Sequence, residues 1–383
     1  MAIKDRLVSW FLRNIVIPKI DVWNKPGFVV TQFTDKGKFV FLREIFLPES
    51  ILIDLEKEIA KKYDKKGEQI LYSIGKKFGY TFSYLSNFST IKNLSEKTFL
   101  DFAYKTVRYV ECTYSSHLDH SIDLKSKTFL LRAKNYVVCP KNGLGYILGS
   151  GGIAGIWGYV MNDKDIEGLQ IKCQGKGDKF CEIVCAPKDV LIKYNKKFFI
   201  ENNLIENIKS DYMYKKFNRF QNTKFASKSL KDMIYNKLFT LSGGILKFCE
   251  IRHVYVDSSL IYILEKEIRK LKNAGKILTD IAFECGKKIA EDAKVDSTNF
   301  ITEYFSAIGF GDTLVTKKDD KYNVIINYFP WTALWKDINF DLCKGLVSGL
   351  LSRITGYTYY ITEIKKEIVN DSFTLVLNAE KGK

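Results

Sequence analysis

The chain reads as an α+β protein of two related domains, each with helices packed on an antiparallel sheet. Two observations predict this. The segment Arg43 to Ile59, REIFLPESILIDLEKEI, recurs without a gap as Arg252 to Ile268, RHVYVDSSLIYILEKEI. Seven of the seventeen positions are identical, most others exchange one apolar residue for another, and Gly75-Lys76-Lys77 is echoed by Gly286-Lys287-Lys288. A repeat roughly 210 residues long exceeds solenoid periods and suits a duplicated domain. The second observation is the order of elements, hairpins separated by helices without the strand–helix–strand units of a parallel sheet. With 383 residues, 46% of them hydrophobic, two full cores are affordable.

Residues 1–24 open the chain with an amphipathic helix. Ile3, Leu7, Val8, Phe11, Ile15 and Val16 recur at helical spacing, Lys4, Arg6 and Arg13 stand elsewhere, and Pro18 ends the run. Such a helix either docks on its own domain or lies on a membrane surface. Gly27 to Phe41 alternates around Asp35-Lys36-Gly37 and is expected to form a hairpin. Ser50 caps a helix with apolar residues at 51, 52, 55 and 59, and further helices are expected over about 67–83 and 95–111. Strands near 127–139 stop at Pro140, a Gly-rich helix follows, and a hairpin at 166–186 closes the first copy. The second copy keeps this order: a strand at 245–256, helices from Ser259 and about 275, strands near 312–328, a helix near 338–354 and a hairpin at 357–378. The expected domains are 25–187 and 241–383, joined by a linker over 188–240.

The formal net charge of +16 and pI near 9.2 suit an anionic partner, a nucleic acid or an anionic membrane surface, or reflect lysines spread along the whole chain. From Lys188 to Lys237 there are twelve Lys/Arg against five Asp/Glu, with aromatics interleaved as in Tyr212, Tyr214, Lys215, Lys216, Phe217, Arg219 and Phe220. That mixture can stack bases and neutralise phosphates, or it can form the apolar face of packing helices. The eight cysteines show no even framework and follow no secretory signal, so a reducing, cytoplasmic setting is expected, with the protein able to sit at a membrane periphery. Asn142 to Asn162 runs uncharged but holds seven glycines, which marks a buried packing helix rather than a membrane span.

The chemistry centres on the hairpin Cys173-Gln-Gly-Lys-Gly177-Asp178-Lys-Phe-Cys181, whose pairing would bring two sulfurs together as half of a tetrahedral zinc site or as two buried apolar side chains. Cys112, His117 and His120 offer a second ligand set, or an exposed loop. Gly149-Ser-Gly151-Gly-Ile-Ala154 meets the letter of a dinucleotide fingerprint, but the second parallel strand is missing and close helix packing explains it better. No Ser-His-Asp set, paired carboxylates or phosphate loop stands out, and nothing argues for catalysis.

A Gly-rich helix followed by Cys-x7-Cys around a Gly-Asp turn resembles the 4-vinyl reductase domain, related in fold to trafficking-complex subunits and haem-nitric-oxide-binding domains. The resemblance spans about 45–187 and, more weakly, 254–380. It implies an α+β domain that encloses a small hydrophobic ligand between helices and sheet. In the zinc-bearing sensors of that family a Glu three residues before the first hairpin Cys, both hairpin Cys and an upstream Cys hold the metal. Here Cys173 and Cys181 match, Gln170 stands at the Glu position and Ile147 near the upstream one, leaving Cys139, Cys185 or Glu167 as substitutes. Lys366 and Thr374 align with the two cysteines in the second copy, so no metal is expected there.

Single-domain relatives pair as homodimers, so the fused copies are expected to form a pseudo-dimer within one chain, with or without further homo-oligomers. The expected function is non-catalytic, regulatory binding of a small hydrophobic or aromatic molecule, or an acyl chain. Tyr146, Ile147, Ile156, Trp157 and Tyr159 are the lining candidates in the first copy, with Phe329, Trp331 and Trp335 in the second. The alternatives are a scaffold or tethering protein at membranes, and a nucleic-acid-associated regulator acting through the linker.

Overall fold

In the computed structural model, residues 3–16, 21–35, 38–204, 223–242, 245–331, 338–369 and 372–382 are described. Trp335 and the aromatic, basic run from Tyr212 to Phe220 lie outside them, as does the Cys112 side chain. Among the described residues the longer helices are, in chain order, α1 (Ile3–Phe11), α2 (Glu49–Leu85), α3 (Glu96–Tyr114), α4 (Ile147–Val160), α5 (Ser259–Ile268), α6 (Ala274–Asp292), α7 (Asn299–Ala307) and α8 (Asp341–Thr355). The strands are β1 (Asp21–Lys25), β2 (Phe28–Asp35), β3 (Lys38–Pro48), β4 (His117–Asp123), β5 (Thr128–Lys134), β6 (Ile166–Lys172) and β7 (Cys181–Pro187). They continue with β8 (Phe239–Ser242), β9 (Ile245–Phe248), β10 (Ile251–Asp257), β11 (Asp312–Lys318), β12 (Lys321–Asn327), β13 (Tyr359–Val369) and β14 (Ser372–Lys381). Mixed helices and antiparallel sheets are thus the architecture, as the pattern of hairpins and helices predicts.

The chain divides into two units, each assembled from separate stretches of sequence. The first gathers Met1–Lys19, Leu52–Lys209 and Gly243–Ile245; the second gathers Ile20–Ile51, Ser210–Ser242 and Leu246–Lys383. The first unit holds a four-stranded antiparallel sheet in the order β4-β5-β7-β6. Leu169, Val184, Ala186 and Leu191 form a core cluster against it, joined by Leu130, Ile171, Val190 and Phe198. Helix α2 is broken at Asp64 (φ 46°, ψ −134°), which separates the two helices expected there. Ser95 caps α3, its hydroxyl accepting from the Thr98 N–H at 3.3 Å. Residues 117–123, a loop candidate from the sequence, are strand β4.

Helix α4 lies directly on the backbone of α2. A Cβ on Gly151 would sit 2.3 Å from the Tyr72 carbonyl oxygen, and one on Gly75 would sit 1.9 Å from the Leu148 oxygen. Only glycine permits that approach, so the run of small residues packs helices.

The second unit repeats the device. A Cβ on Gly349 of α8 would meet the Phe283 oxygen of α6 at 2.0 Å, and one on Gly286 would meet the Leu346 oxygen at 2.6 Å. Its sheets are β11-β12-β14-β13 and a six-stranded one ordered β1-β2-β3-β10-β9-β8. The strand expected over 245–256 is a hairpin instead, turning at Cys249 (φ 49°) between β9 and β10.

Strands β3 and β10, the leading strands of the two repeat copies, pair antiparallel. Phe46 stands opposite Tyr255, His253 opposite Pro48, and Asp257 opposite Glu44. Phe46 and Tyr255 occupy the same place in the repeat, so the pairing has a local two-fold centre there. Their rings lie 5.0 Å apart between centroids.

The shared LEKEI segment also has a structural meaning. Glu56 is buried, and its carboxylate accepts the Leu148 N–H at 2.8 Å and the Asn142 side-chain amide. Glu265, its counterpart, is buried too and accepts the Leu342 N–H at 3.2 Å. Each glutamate therefore caps the N-terminus of its copy's glycine-bearing helix, where free N–H groups and the helix dipole favour an acceptor.

Candidate metal centre and adjoining pocket

The cysteine hairpin is shaped by its own backbone. β6 ends at Lys172, a single 3-10 turn covers Gln174–Lys176, and Gly177 takes φ 97° before the chain enters β7 at Cys181. The Cys173 N–H donates to the Asp178 carboxylate at 2.7 Å, and the Lys176 and Asp178 N–H groups donate to the Cys173 carbonyl at 3.0 and 3.1 Å. These bonds hold both cysteines on one side of the turn.

The third sulfur comes from elsewhere. Cys139 begins a one-turn helix, Cys139–Asn142, after Val138 at φ 66°. The hairpin presses against it, since a Cβ on Gly175 would be 2.3 Å from the Cys139 carbonyl oxygen. Cys139 Sγ then lies 3.1 Å from Cys173 Sγ and 2.9 Å from Cys181 Sγ. All three sulfurs fall within 4.8 Å of one another and all three residues are buried.

Hydrogen bonds from the Cys139 and Cys181 thiols lower the Cys173 thiol and favour its thiolate form. The same contact with Cys173 pushes Cys139 up to about 11, and contact with Cys139 and then Cys173 pushes Cys181 up as well. A cation placed among them would remove this conflict by favouring all three thiolates. Sulfurs around a tetrahedral zinc with Zn–S near 2.3 Å stand about 3.8 Å apart. The spacing seen here is tighter on two edges, on a turn that closes around Cys139. The donor set fits zinc, three sulfurs filling three positions of a tetrahedron.

Of the other ligands open from the sequence, Glu167 and Cys185 stand outside this group. Glu167 is buried in an ion pair with Lys76 at 2.9 Å and accepts the Tyr72 hydroxyl at 2.7 Å. Burial lowers Lys76 and raises Glu167 against this mutual attraction. Cys185 lies mid-strand opposite Phe129 and Gly168, and burial pushes its thiol up. Gln170 does reach the cluster, its Nε2 donating to Cys139 Sγ at 3.1 Å. His117 and His120 do not form a joint site. Three residues apart on a strand, they face opposite ways: His117 Nδ1 is 3.5 Å from Glu111, and the His120 ring packs on Tyr104 and Phe129.

Beside the cluster opens a pocket of about 400 Å³ within the first unit. Its apolar wall is Leu144, Ile147, Leu169, Ile171, Phe198 and Phe199, and Gln170 and Cys173 line it on the metal-centre side. Lys172, Lys176, Lys196 and Lys197 also line it. The Phe198–Phe199 wall belongs to a strap along α2. Gln69 Nε2 donates to the Ile200 carbonyl at 2.8 Å, and Lys76 Nζ donates to the Glu201 carbonyl at 2.9 Å.

Among the aromatic and apolar residues picked from the sequence, Ile147 lines this pocket. Tyr146 is buried against Tyr136, and Trp157 stacks on Phe129 with its indole N–H donating to the Lys127 carbonyl. Tyr159 meets the Tyr80 ring, and Ile156 is half-buried with its backbone N beside Gly79. In the second unit Phe329 and Trp331 are buried in a ring cluster with Phe310 and Phe340. The sequence missed the strap: the stretch that holds Phe198 and Phe199 reads there as the apolar face of packing helices, whereas residues 197–204 are neither helix nor strand. Cys139 was legible only as one of several spare donors.

No family model matches the chain, and no curated protein matches it. Solved structures do. A vinyl-4-reductase family protein from Methanocaldococcus jannaschii is similar over 33% of this chain and 78% of its own, at 13% identity and a TM-score of 0.25. The phenol-responsive sensory domain of the transcription activator PoxR, solved with phenol, is similar over 51% of this chain and 98% of its own, at 13% identity and a TM-score of 0.31. At these values neither likeness assigns a function to this chain.

Proposed function

We propose that this chain is a non-catalytic binding protein whose first unit takes a small hydrophobic or aromatic molecule beside a structural zinc held by Cys139, Cys173 and Cys181. The observation that carries the proposal is the shared wall: Gln170 and Cys173 belong at once to the sulfur cluster and to the 400 Å³ pocket. A pocket of that size, with one apolar wall and with Glu68, Asp178 and four lysines around it, has room for a small organic ligand. Zinc would tie Cys139 to the hairpin and so fix the strand that forms the pocket floor. In this reading the antiparallel pairing of β3 with β10 makes the chain its own pseudo-dimer.

Native mass spectrometry of the purified chain is the test. One zinc per chain, lost in Cys139→Ser and in Cys173→Ser, together with a copurified small molecule, is the expected result. A metal-free chain whose melting temperature ignores chelators removes the zinc half; a chain that takes up no apolar molecule removes the other.

A second reading has its own observation. Helix α1 docks on α3 through polar groups, Ser9 donating to Glu111 at 2.7 Å and Tyr104 to Asp5 at 2.8 Å. That leaves Leu7 63%, Trp10 59% and Phe11 50% exposed, next to the exposed Lys4. An apolar face with cationic flanks suits an anionic membrane surface. Flotation with phosphatidylserine vesicles, abolished by Trp10→Glu with Phe11→Glu, is expected; equal flotation of both forms sinks this reading. A nucleic-acid role would rest on Lys215, Lys216 and Arg219, which lie outside the described residues.

A further inference from the structure

Glu44 of β3 and Asp257 of β10 stand directly opposite each other where the two repeat copies pair. Both are buried, at 3% and 1% exposure. Asp257 Oδ1 accepts the Ser259 N–H at 2.9 Å, but its Oδ2 is buried with no hydrogen-bond partner. The groups that face the pair are Asp21 of β1, Thr31 of β2, whose hydroxyl donates to Asp21 at 3.2 Å, and Ser259 at the start of α5. No cation faces it among the described residues. Arg43, next to Glu44 in sequence, points to the other face of β3 and donates to the Gly27 and Gly309 carbonyls. Two buried carboxylates side by side repel each other; one proton between them removes the repulsion and gives the orphan oxygen a donor. Burial first, then Asp257 and Asp21, hold Glu44 well above the ordinary carboxyl range, and burial raises Asp257 to about 6. The local two-fold centre relates this pair to Pro48 opposite His253, so only one end of the joint carries it.

We propose that Glu44 carries a proton at neutral pH and donates it to Asp257 Oδ2, a shared-proton clasp that holds the leading strands of the two copies together and loosens in alkaline solution. Both carboxyls lie above their unfolded values of about 4, so the stability from the clasp is complete below about pH 4. It declines as pH rises through about 6, where Asp257 ionises, and further as the pair gives up its last proton.

Infrared difference spectra of the full chain near neutral pH, native minus Glu44→Gln, test the proton directly, because the other buried acids cancel. The C=O stretch of a protonated carboxylic acid is expected; a carboxylate band in its place overturns the proposal. In Asp257→Asn the same acid band should shift, since its acceptor has changed, and this arm stands if Glu44→Gln misfolds. A band that does not move overturns the assignment to Asp257. Denaturant unfolding then reads the clasp. Between about pH 7 and 9 the folding constant of the native chain should fall up to about tenfold more per pH unit than that of Glu44→Gln. Equal slopes would show that the proton does not hold the joint, and the clasp falls.

Discussion

Glu56 shows how one side chain can be essential to the fold and uneasy within it. Its carboxylate caps α4, yet burial raises it to about 8, and burial raises Glu265 to about 8 in the same role. The folded state therefore holds a proton on each carboxyl that the unfolded chain, with a glutamate near 4.3, has already released. Stability from this source is complete below pH about 4.3 and is lost as pH rises through about 8. Glu56→Gln keeps an acceptor and removes the titration. Denaturant unfolding at several pH values should show a flatter slope between about pH 5 and 8, by up to about 1.4 kcal/mol per pH unit. An unchanged slope would mean that Glu56 is ionised in the folded chain. This feature was legible: Leu52, Glu56 and Ile59 share one helical face, as do Ile261, Glu265 and Ile268, so the acid sits on an apolar stripe. What the acid caps was not legible, because the capped N–H groups lie 92 and 77 residues away in sequence.

Helix packing makes sharper demands. Gly151→Ala would drive a methyl group into the Tyr72 carbonyl, a backbone atom that cannot step aside. A loss of about 1–3 kcal/mol or more is expected in the denaturant midpoint. Gly152→Ala is the control, since its Cβ would meet nothing nearer than 3.8 Å, and it should be neutral or slightly stabilising. The pair Lys76–Glu167 is a second element-scale anchor, tying α2 to β6 and to the Glu201 strap. Lys76→Met leaves a buried carboxylate without its cation and should cost about 3–5 kcal/mol, with Phe198 and Phe199 losing their seat on the pocket. Hydrogen exchange at 196–203 reads that release. The element order was well marked in sequence because the hydrophobic periods and the caps are local. β4 was missed because its less polar face, Leu118, His120 and Ile122, carries a histidine at its centre and leaves only two apolar residues to mark the strand period.

The whole chain carries its duplication unequally. Both copies keep the capping glutamate and the glycine contacts, and the first alone keeps the cysteine hairpin. The leading hairpin of the first copy, β2 with β3, is built into the sheet of the second unit through β10. Two such strands from separate single-copy chains would need a dimer to pair; here one chain supplies both. Sedimentation at micromolar concentration is therefore expected to give one chain of 44.2 kDa, and a stable dimer would count against the built-in partner. Among the described residues no helix is long and apolar enough to cross a membrane, in keeping with the glycine-rich stretch being a packing helix.

By itself the sequence determined the repeated segment 43–59/252–268, the α+β order of its elements, the close packing of the glycine-bearing helices and the two cysteines of the hairpin. Each rests on spacing within a short stretch, where 3.6- and 2-residue periods, caps and turn glycines act locally. Only the tertiary structure decided that Cys139 completes the sulfur trio, that Glu167 is spent on Lys76, that Gln170 faces a pocket, and that β3 joins β10. These are contacts across long separations, where several donors of equal chemical merit compete and only the path of the backbone chooses among them.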